Sequence, residues 1–442
     1  MYDTIIIGTG TAGLTAAGIL AKNGKKVAIV DNRPYGGTCA LRGCQPKKYF
    51  VNNTHTAAET RALLGKGYKS PAVTNWSQLQ QFKSEFTTNV SENTNQSLKD
   101  KGIDRYQGTA VFKNAKSLAV EDGSKIITAD SFIIATGASA VPLRLKGSVV
   151  PHGSDDFLEL KELPKSMVFI GGGYISLEFA FIAALAGSKV TVLQRGDSFL
   201  TAFPQSLLSP VIESAEDQGM GMLTGVDVSA IKEISGGYRV STLKHGDFDA
   251  AYVIAGIGRS PEIKELNLDA IGVNYDKKGI ITDEYMQSSV AGIYAAGDCV
   301  SSKMLAPVAD MEAVVAALNI IKNKSKLMDY NSIPSVVFTY PQMASVGLTS
   351  EEAEAQGHKI IIKSGSGSGW MNYRRLQSKH VYYETITDAQ SGKLLGAHVV
   401  SPHAGDIINI FALTIKHGLL SFSLKDLQWA YPTYTSDIKY MV

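Results

Sequence analysis

Residues 4–13, which read TIIIGTGTAG, decide the fold together with the helix and strand that follow them. A β-branched run stops at a Gly-x-Gly-x-x-Gly turn, an apolar helix follows over Leu14–Ala21, and a second strand over Lys26–Val30 ends at Asp31. Such glycines let backbone N–H groups approach a pyrophosphate at the helix N-terminus, while the acid accepts hydrogen bonds from ribose hydroxyls. The stretch therefore predicts a Rossmann-type dinucleotide-binding unit; a purely structural βαβ turn is the alternative.

The same arrangement recurs in residues 166–178, which read SMVFIGGGYISLE and lead into another helix and the strand Lys189–Leu193. Two dinucleotide folds in one chain indicate electron transfer between two bound cofactors. Gln194-Arg195 follows the second strand, where a NAD site carries an acid. Because arginine pairs with a 2′-phosphate, we predict NADPH rather than NADH. The alternative is that Arg195 is only a solvated surface charge.

Two of the three cysteines lie in residues 36–48, which read GGTCALRGCQPKK. On a straight α-helix, residues i and i+5 have Cα atoms roughly 8–9 Å apart, whereas a disulfide tolerates only about 4.4–6.8 Å. If Cys39 and Cys44 pair, the segment must bend, and Gly43 and the Gly36-Gly37 pair offer places to do so. From the spacing alone, a redox couple and two unpaired thiols both remain open.

The composition is typical of a soluble globular protein of two to four domains, with 442 residues, 44% hydrophobic and 19% charged. Lysine and arginine number 43 against 41 acids, a balance that indicates neither nucleic acid nor an anionic membrane as a partner. Three cysteines argue against a secreted disulfide framework and favour a cytoplasmic location. We also expect no signal peptide and no membrane span.

The motif Gly-Gly-Thr-Cys-x4-Cys-x-Pro-Lys at residues 36–47 resembles the active-site segment of the flavin-dependent pyridine nucleotide–disulfide oxidoreductases. This family includes glutathione reductase, dihydrolipoamide dehydrogenase and mercuric reductase. The resemblance implies that hydride passes from NADPH to FAD and electrons then pass to a Cys39–Cys44 disulfide. In this scheme Cys39 is the exposed thiol that attacks substrate, and Cys44 is the thiolate against the flavin.

Other family-like motifs extend this assignment over nearly the whole chain. By resemblance, Lys47 pairs with Glu178 near the reactive nitrogen of the flavin, and Tyr174 is the aromatic lid over the nicotinamide site. Asp298 binds the ribityl chain, and Arg259 reaches a cofactor phosphate. The predicted FAD-binding residues are Gly8, Gly10, Thr11, Ala12, Gly13, Asp31, Gly37, Thr38, Ala110, Ala135, Thr136, Gly137, Arg259, Gly297, Asp298, Leu305, Ala306 and Ala309. The predicted NADPH-binding residues are Gly171, Gly173, Tyr174, Ile175, Gln194, Arg195 and Gly258.

The predicted fold is α/β, with two Rossmann-like domains of three-layer β-β-α type and a C-terminal α+β dimerisation domain. The expected segments are 1–143 for FAD, 144–261 for NAD(P)H, 262–331 for a return to FAD, and 332–442 for the interface of a homodimer. In the last segment we predict antiparallel strands, a capping box at Thr349–Glu352 and a helix over 404–417 that is apolar nearly all round. The Ser-Gly run at 364–369 is predicted to be a flexible loop.

The C-terminal segment departs from the family pattern. Disulfide reductases of this kind carry His-Pro-Thr with a Glu five residues after the His, whereas this chain has Tyr431-Pro432-Thr433 and Ser436. Histidine titrates near neutrality, but unperturbed tyrosine has a pKa of about 10 and is a poor proton shuttle. Tyr431 is therefore a candidate catalytic residue that hydrogen-bonds a bound sulfur or carbonyl.

Three hypotheses about function remain open at this stage. The first is a reductase of a small disulfide that uses Tyr431 or water as the proton donor. The second is a reductase of a non-disulfide acceptor such as a quinone or a metal ion; mercury is disfavoured because the chain ends Tyr440-Met441-Val442 without a vicinal cysteine pair. The third is a flavoprotein redox sensor. No protein-bound metal site is predicted.

Overall fold

Fourteen α-helices and 23 β-strands form the protein, which a computed structural model describes over residues 1–442. The helices are α1 Thr11–Lys22, α2 Gly37–Arg42, α3 Cys44–Ala62, α4 Trp76–Thr87, α5 Val90–Asp100, α6 Ser154–Leu158, α7 Tyr174–Leu185, α8 Leu208–Asp217, α9 Ala306–Lys322, α10 Ser350–Ala355, α11 Met371–Arg374, α12 Ala404–Lys416, α13 Ser421–Asp426 and α14 Ile438–Met441. None of them combines the length and hydropathy of a membrane span.

The strands alternate with these helices in the first half of the chain and dominate the second half. They are β1 Tyr2–Ile7, β2 Val27–Asp31, β3 Asp104–Gln107, β4 Val111–Asn114, β5 Ser117–Val120, β6 Lys125–Ile134, β7 Ala138–Ala140, β8 Ser166–Ile170, β9 Lys189–Leu193, β10 Gly221–Leu223, β11 Val228–Ile234, β12 Gly237–Thr242, β13 Asp247–Ala250, β14 Tyr252–Ala255, β15 Arg259–Pro261, β16 Tyr275–Asp276, β17 Gly279–Ile280, β18 Ile293–Ala295, β19 Ser335–Val337, β20 Gln342–Gly347, β21 Ile360–Ser366, β22 Tyr382–Asp388 and β23 Leu394–Ser401.

The chain forms two compact units. The first comprises Met1–Tyr49, Gln81–Val141 and Gly258–Tyr330, and the second comprises Phe50–Gln80, Pro142–Ile257 and Asn331–Val442.

A parallel sheet in the order β3-β2-β1-β6-β18 forms the centre of the first unit. The long strand β6 continues into an antiparallel meander with β5 and β4. Consecutive residues such as Ile5 and Ile6 have no exposed surface, so both faces of the sheet are covered. Helices α1 and α9 pack against each other in this unit. The predicted Rossmann-like fold with three-layer architecture is confirmed.

The second unit contains a second parallel sheet, in the order β10-β9-β8-β14, and a three-stranded antiparallel sheet β11-β12-β13. Helix α7 follows β8 and is buried over nearly its whole length, with Phe179, Phe181 and Ile182 in the core. This is the predicted repeat of the strand–glycine turn–helix motif.

An antiparallel sheet in the order β19-β20-β23-β22-β21 forms the C-terminal part of the second unit, and α12 packs on it. The predicted capping box is present, since the Thr349 hydroxyl accepts from the Glu352 N–H at 3.1 Å. Helix α12 buries Ile407, Ile408 and Phe411 but leaves Leu413 55% exposed. Its apolar surface is therefore covered on one side only within this chain.

The predicted flexible loop at 364–369 is wrong in its first half. Residues Ser364–Ser366 end strand β21 and pair with Tyr382–Glu384 of β22. A sheet edge is defined by backbone hydrogen bonds to the neighbouring strand, so a Ser-Gly composition does not prevent pairing.

Candidate active site

Backbone proximity shapes the first glycine loop, which leads from β1 to α1. Gly8 has φ +110°, and a Cβ atom there would lie 2.2 Å from the Ala135 carbonyl oxygen. A Cβ on Gly13 would lie 1.9 Å from the Gly8 oxygen, whereas at Gly10 nothing lies within 4 Å. At Gly8 and Gly13 the loop is packed against neighbouring backbone, whereas space is left beside Gly10. A pyrophosphate-binding loop needs such space for its ligand.

Asp31 has a structural role that the sequence did not predict. Its Oδ2 accepts hydrogen bonds from the Thr9 N–H at 2.7 Å and from the Thr9 hydroxyl at 2.6 Å, and its Oδ1 accepts from the Arg33 N–H at 2.9 Å. Asp31 therefore holds the middle of the first glycine loop in place. Its predicted contact with ribose hydroxyls remains a prediction.

The cysteine pair sits at a break between two helices. Helix α2 ends at Arg42, Gly43 takes φ −139° and ψ −120°, and α3 begins at Cys44. The bend expected from the spacing is present, and it brings the two thiols within hydrogen-bonding reach. This hydrogen bond and partial burial raise the pKa of the Cys39 thiol well above its usual range, while the Thr11 side chain acts in the opposite direction.

Both cysteines are thiols in the structure, and Cys44 is the more exposed of the two. This order is the reverse of the expected one, because Cys44 begins α3 just after the bend and its side chain is left uncovered. Exposure alone therefore does not identify the attacking thiol. The roles assigned to Cys39 and Cys44 remain predictions.

The predicted second flavin loop follows β18 and contains Gly297 and Asp298. Gly297 has φ +82°, and Asp298 has no hydrogen-bond partner within the chain. Burial raises the pKa of the Asp298 carboxyl, and the positive charge of Arg259 opposes that rise. A partly buried carboxylate without a donor fits a ligand that brings hydroxyl groups to it, as the ribityl chain of FAD does.

The remaining predicted flavin residues lie in the same unit. Gly37 has φ +69°, and a Cβ there would lie 2.3 Å from the Gly10 Cα, so the cysteine segment packs directly on the first glycine loop. Arg259 donates a hydrogen bond to the Ala138 carbonyl. Others lie in α1 (Thr11, Ala12), in α2 (Thr38), after β3 (Ala110), after β6 (Ala135, Thr136, Gly137) and at the start of α9 (Leu305, Ala306, Ala309).

The second glycine loop repeats the geometry of the first one. Gly171 has φ +107° and its Cβ would lie 2.4 Å from the Gly256 oxygen, whereas Gly173 has nothing within 4 Å. Tyr174 and Ile175 begin α7 directly after it, and Tyr174 is 39% exposed. Gly258, with φ +128°, likewise has open space around it.

Gln194 braces this second loop. Its Oε1 accepts from the Gly172 N–H at 2.9 Å, and its Nε2 donates to the Ser198 oxygen at 3.0 Å. The neighbouring Arg195 is exposed and makes no hydrogen bond or ion pair within the chain. Its guanidinium is thus available to an anion.

Lys47 and Glu178 are both buried charged residues. Lys47 is 7% exposed and lies in α3 within the first unit. Glu178 is 2% exposed and lies in α7 within the second unit, where its Oε1 accepts from the Phe338 N–H at 2.9 Å. This bond to the segment after β19 was not predicted. The expected Lys47–Glu178 pair remains a prediction.

The C-terminal segment presents Tyr431 to solvent, 67% exposed. Ser436, which stands where the family has Glu, is buried and bonds Thr433 instead: its hydroxyl donates to the Thr433 carbonyl at 2.6 Å. Tyr434 is held by the His403 ring, which stacks on it at 3.9 Å, and by the Arg375 guanidinium at 5.4 Å. The Ser436 hydroxyl is therefore engaged with the backbone of its own turn.

Two glycine loops, each between a parallel strand and a helix, and a pair of neighbouring thiols are typical of an oxidoreductase that uses two dinucleotide cofactors. Residues 2–313 match the family model "Pyridine nucleotide-disulphide oxidoreductase", and residues 333–442 match its dimerisation domain. The chain belongs to this family. It is an FAD-dependent oxidoreductase that acts on disulfides, and the dimerisation domain supports a homodimer.

Several known proteins resemble the chain along its whole length. A mercuric reductase of Staphylococcus aureus is 31% identical over 99% of this chain and 81% of its own length. A dihydrolipoyl dehydrogenase of Bacillus subtilis is 30% identical over 98% of this chain and 93% of its own length. The solved structure of the HOCl-induced flavoprotein disulfide reductase RclA from Escherichia coli matches with a TM-score of 0.90 and 26% identity, covering 100% of this chain and 99% of that one.

We predict that Gly13→Ala prevents stable flavin binding. The new Cβ would collide with the Gly8 carbonyl, so the unfolding free energy should fall by about 1–3 kcal/mol or more. The measurement is the flavin absorbance per mole of purified protein, together with urea unfolding.

Gly18→Ala is the matched control for this variant. It lies in the same helix with nothing within 4 Å of its Cβ position, so it should keep the flavin and gain up to about 1 kcal/mol of stability. Equal flavin content in the two variants would contradict the proposed loop geometry.

Proposed function

We propose that the protein is an NADPH-dependent flavoprotein disulfide reductase whose electrons reach a small disulfide through the Cys39–Cys44 pair. The observation that carries the proposal is the hydrogen-bonded thiol pair on a segment that packs against the first flavin loop, with Gly37 in contact with Gly10. When bound, FAD supplies two-electron transfer between the nicotinamide and the sulfur pair. It would be held by the two loops that contain Gly10 and Asp298.

The thiol chemistry of this chain then follows in two exchanges. The Cys39 thiolate attacks a substrate disulfide and forms a mixed disulfide, which releases one substrate thiolate. The Cys44 thiolate attacks Cys39 next, which releases the second substrate thiolate and closes the Cys39–Cys44 bond. Each turnover consumes two electrons and two protons: a hydride from NADPH carries both electrons and one proton, and solvent supplies the other proton.

Protonation of the departing thiolate is the step for which the family histidine is absent. We propose that the Tyr431 hydroxyl, or water, donates this proton. The proposal is supported by the exposure of Tyr431 and by the hydrogen bond that the Ser436 hydroxyl donates to the Thr433 carbonyl. The four-segment division of the chain, a cytoplasmic location and the other predicted site residues belong to the same proposal.

We expect anaerobic titration with NADPH to produce a long-wavelength thiolate-to-flavin absorbance band. Cys44→Ser should abolish this band, and Cys39→Ser should retain it, because only the Cys44 thiolate is assigned to the flavin side. Cys299→Ala is the control, since its buried thiol donates to the Ile134 carbonyl and lies outside the pair. Bands of native intensity in both Ser variants would remove the dithiol from the electron path.

NADPH preference should depend on Arg195. We expect Arg195→Ala to lower kcat/KM for NADPH about 10- to 100-fold, the range of a hydrogen bond to a charged group, and to leave NADH within about twofold. Lys189→Ala is the matched control, because Lys189 is an exposed cation at the other end of β9. An unchanged ratio between the two nucleotides in Arg195→Ala would exclude this residue as the phosphate ligand.

A metal ion or a quinone is the second candidate acceptor. It is favoured by the mercuric reductase relative and by a solved Cu(II) complex of RclA that covers 100% of this chain. The described residues contain no group of three or more His, Cys, Asp or Glu that could hold a metal ion. In this alternative, the Cys39–Cys44 thiol pair would by itself bind the metal substrate.

Tyr431→Phe should separate these acceptors. Turnover of disulfides should fall about 10²-fold, as for loss of a general acid, while Cu(II) and quinones, which need no proton on a leaving thiolate, should react unchanged. The assay is a panel of disulfides, quinones and Cu(II) with NADPH. Equal rates of disulfide reduction and equal pH profiles in the native protein and in Tyr431→Phe would identify water as the proton donor. Turnover of no acceptor by the native protein would favour a redox sensor.

A further inference from the structure

A buried carboxylate lies behind the second flavin loop. Glu312, in the middle of α9, has no exposed surface. Its Oε2 accepts from the Gly297 N–H at 2.7 Å, and its Oε1 accepts from the Tyr330 hydroxyl at 2.7 Å. Hydrogen bonds of this length to an ionised carboxylate are stronger than neutral ones. None of the motifs that predict the cofactor sites includes Glu312.

The residue that Glu312 holds is tightly confined. Gly297 has φ +82°, and a Cβ there would lie 3.3 Å from the Cβ atoms of both Ala12 and Ala309. The Gly297 carbonyl accepts from the Val300 N–H at 2.8 Å, which closes a tight turn. Since glycine has no side chain that could stabilise this turn, the hydrogen bond from the Gly297 N–H to the Glu312 carboxylate stabilises it.

One buried and one partly buried carboxyl group lie around this one turn, which is electrostatically costly. Burial raises the pKa of Glu312, and the negative charge of Asp298 raises it further, whereas the nearby hydroxyls of Ser302 and Tyr330 and the Gly297 N–H lower it. Asp298 directly follows Gly297 and has no hydrogen-bond partner within the chain. A fold that needed only packing would place apolar groups here, so the arrangement indicates a functional constraint.

We propose that Glu312 is a positioning residue for FAD: by holding the Gly297 backbone, it fixes the direction in which the Asp298 carboxylate meets the hydroxyl groups of the ribityl chain. The inference rests on FAD binding, which family membership establishes. It is independent of the proposed NADPH preference and of the identity of the acceptor, so its failure would leave both proposals untouched.

The test measures the FAD dissociation constant from the holoenzyme, by ultrafiltration at a series of protein concentrations. Glu312→Ala should raise this constant about 10- to 100-fold, the range for a hydrogen bond to a charged group. Glu312→Gln should keep part of the native FAD affinity, because its amide oxygen still accepts from the Gly297 N–H. Asp310→Asn is the matched control: it is an exposed carboxylate on the same helix that accepts from the Thr15 hydroxyl at 2.5 Å, and it should leave the constant unchanged.

A double-mutant cycle with Asp298→Asn separates positioning from general stability. If Glu312 acts through Asp298, Glu312→Ala should cost little further affinity once Asp298 is replaced. Independent, multiplicative losses would overturn the proposal, as would native FAD affinity in Glu312→Ala. Where Glu312→Ala does not fold, Glu312→Met, which keeps most of the side-chain volume but cannot accept from the Gly297 N–H, enters the same cycle, and native FAD affinity in it would overturn the proposal equally.

Discussion

Contact between two glycine backbones is the constraint on which the position of the thiol pair depends. Gly37 lies against Gly10 so closely that any side chain at position 37 would collide with the first glycine loop, since a Cβ atom there would lie 2.3 Å from the Gly10 Cα. Helix α2 begins at Gly37, so this contact fixes the helix that carries Cys39 relative to the loop. The break at Gly43 then places Cys44 within reach of Cys39. Two positions without side chains thereby set the place of both sulfur atoms.

Local backbone signals are what the sequence reveals best. The two Gly-x-Gly turns, the bend between the cysteines and the capping box at Thr349 all depend on residues within a few positions of one another, and each is present in the structure. The strand at Ser364–Ser366 was missed because pairing with Tyr382–Glu384 depends on a neighbouring strand rather than on local composition.

Hydrogen bonds between residues far apart in the chain could not be predicted from the sequence motifs. Glu178 and Phe338 are 160 positions apart, and no pattern in either segment points to the other. None of the sequence motifs includes Glu312, since its partners Gly297 and Tyr330 are brought to it only by the tertiary fold. The tyrosine at position 431 is visible in the sequence, but the hydrogen bond of Ser436 to the Thr433 carbonyl is not.

The two glycine loops are each held by a hydrogen bond from the loop backbone to a side chain at the end of the next strand, and this side chain is charged in one loop and neutral in the other. In the first loop the Thr9 N–H donates to Asp31, and in the second the Gly172 N–H donates to Gln194; each pair is separated by 22 positions. The side chain at the end of the second strand thus has a structural task in both loops, independent of any ribose. Glutamine performs this task without a negative charge, and a 2′-phosphate near it would meet no repulsion. An amide at position 194 thus keeps the hydrogen bond to the loop without adding a negative charge, and this is compatible with the proposed preference for NADPH and the proposed role of Arg195.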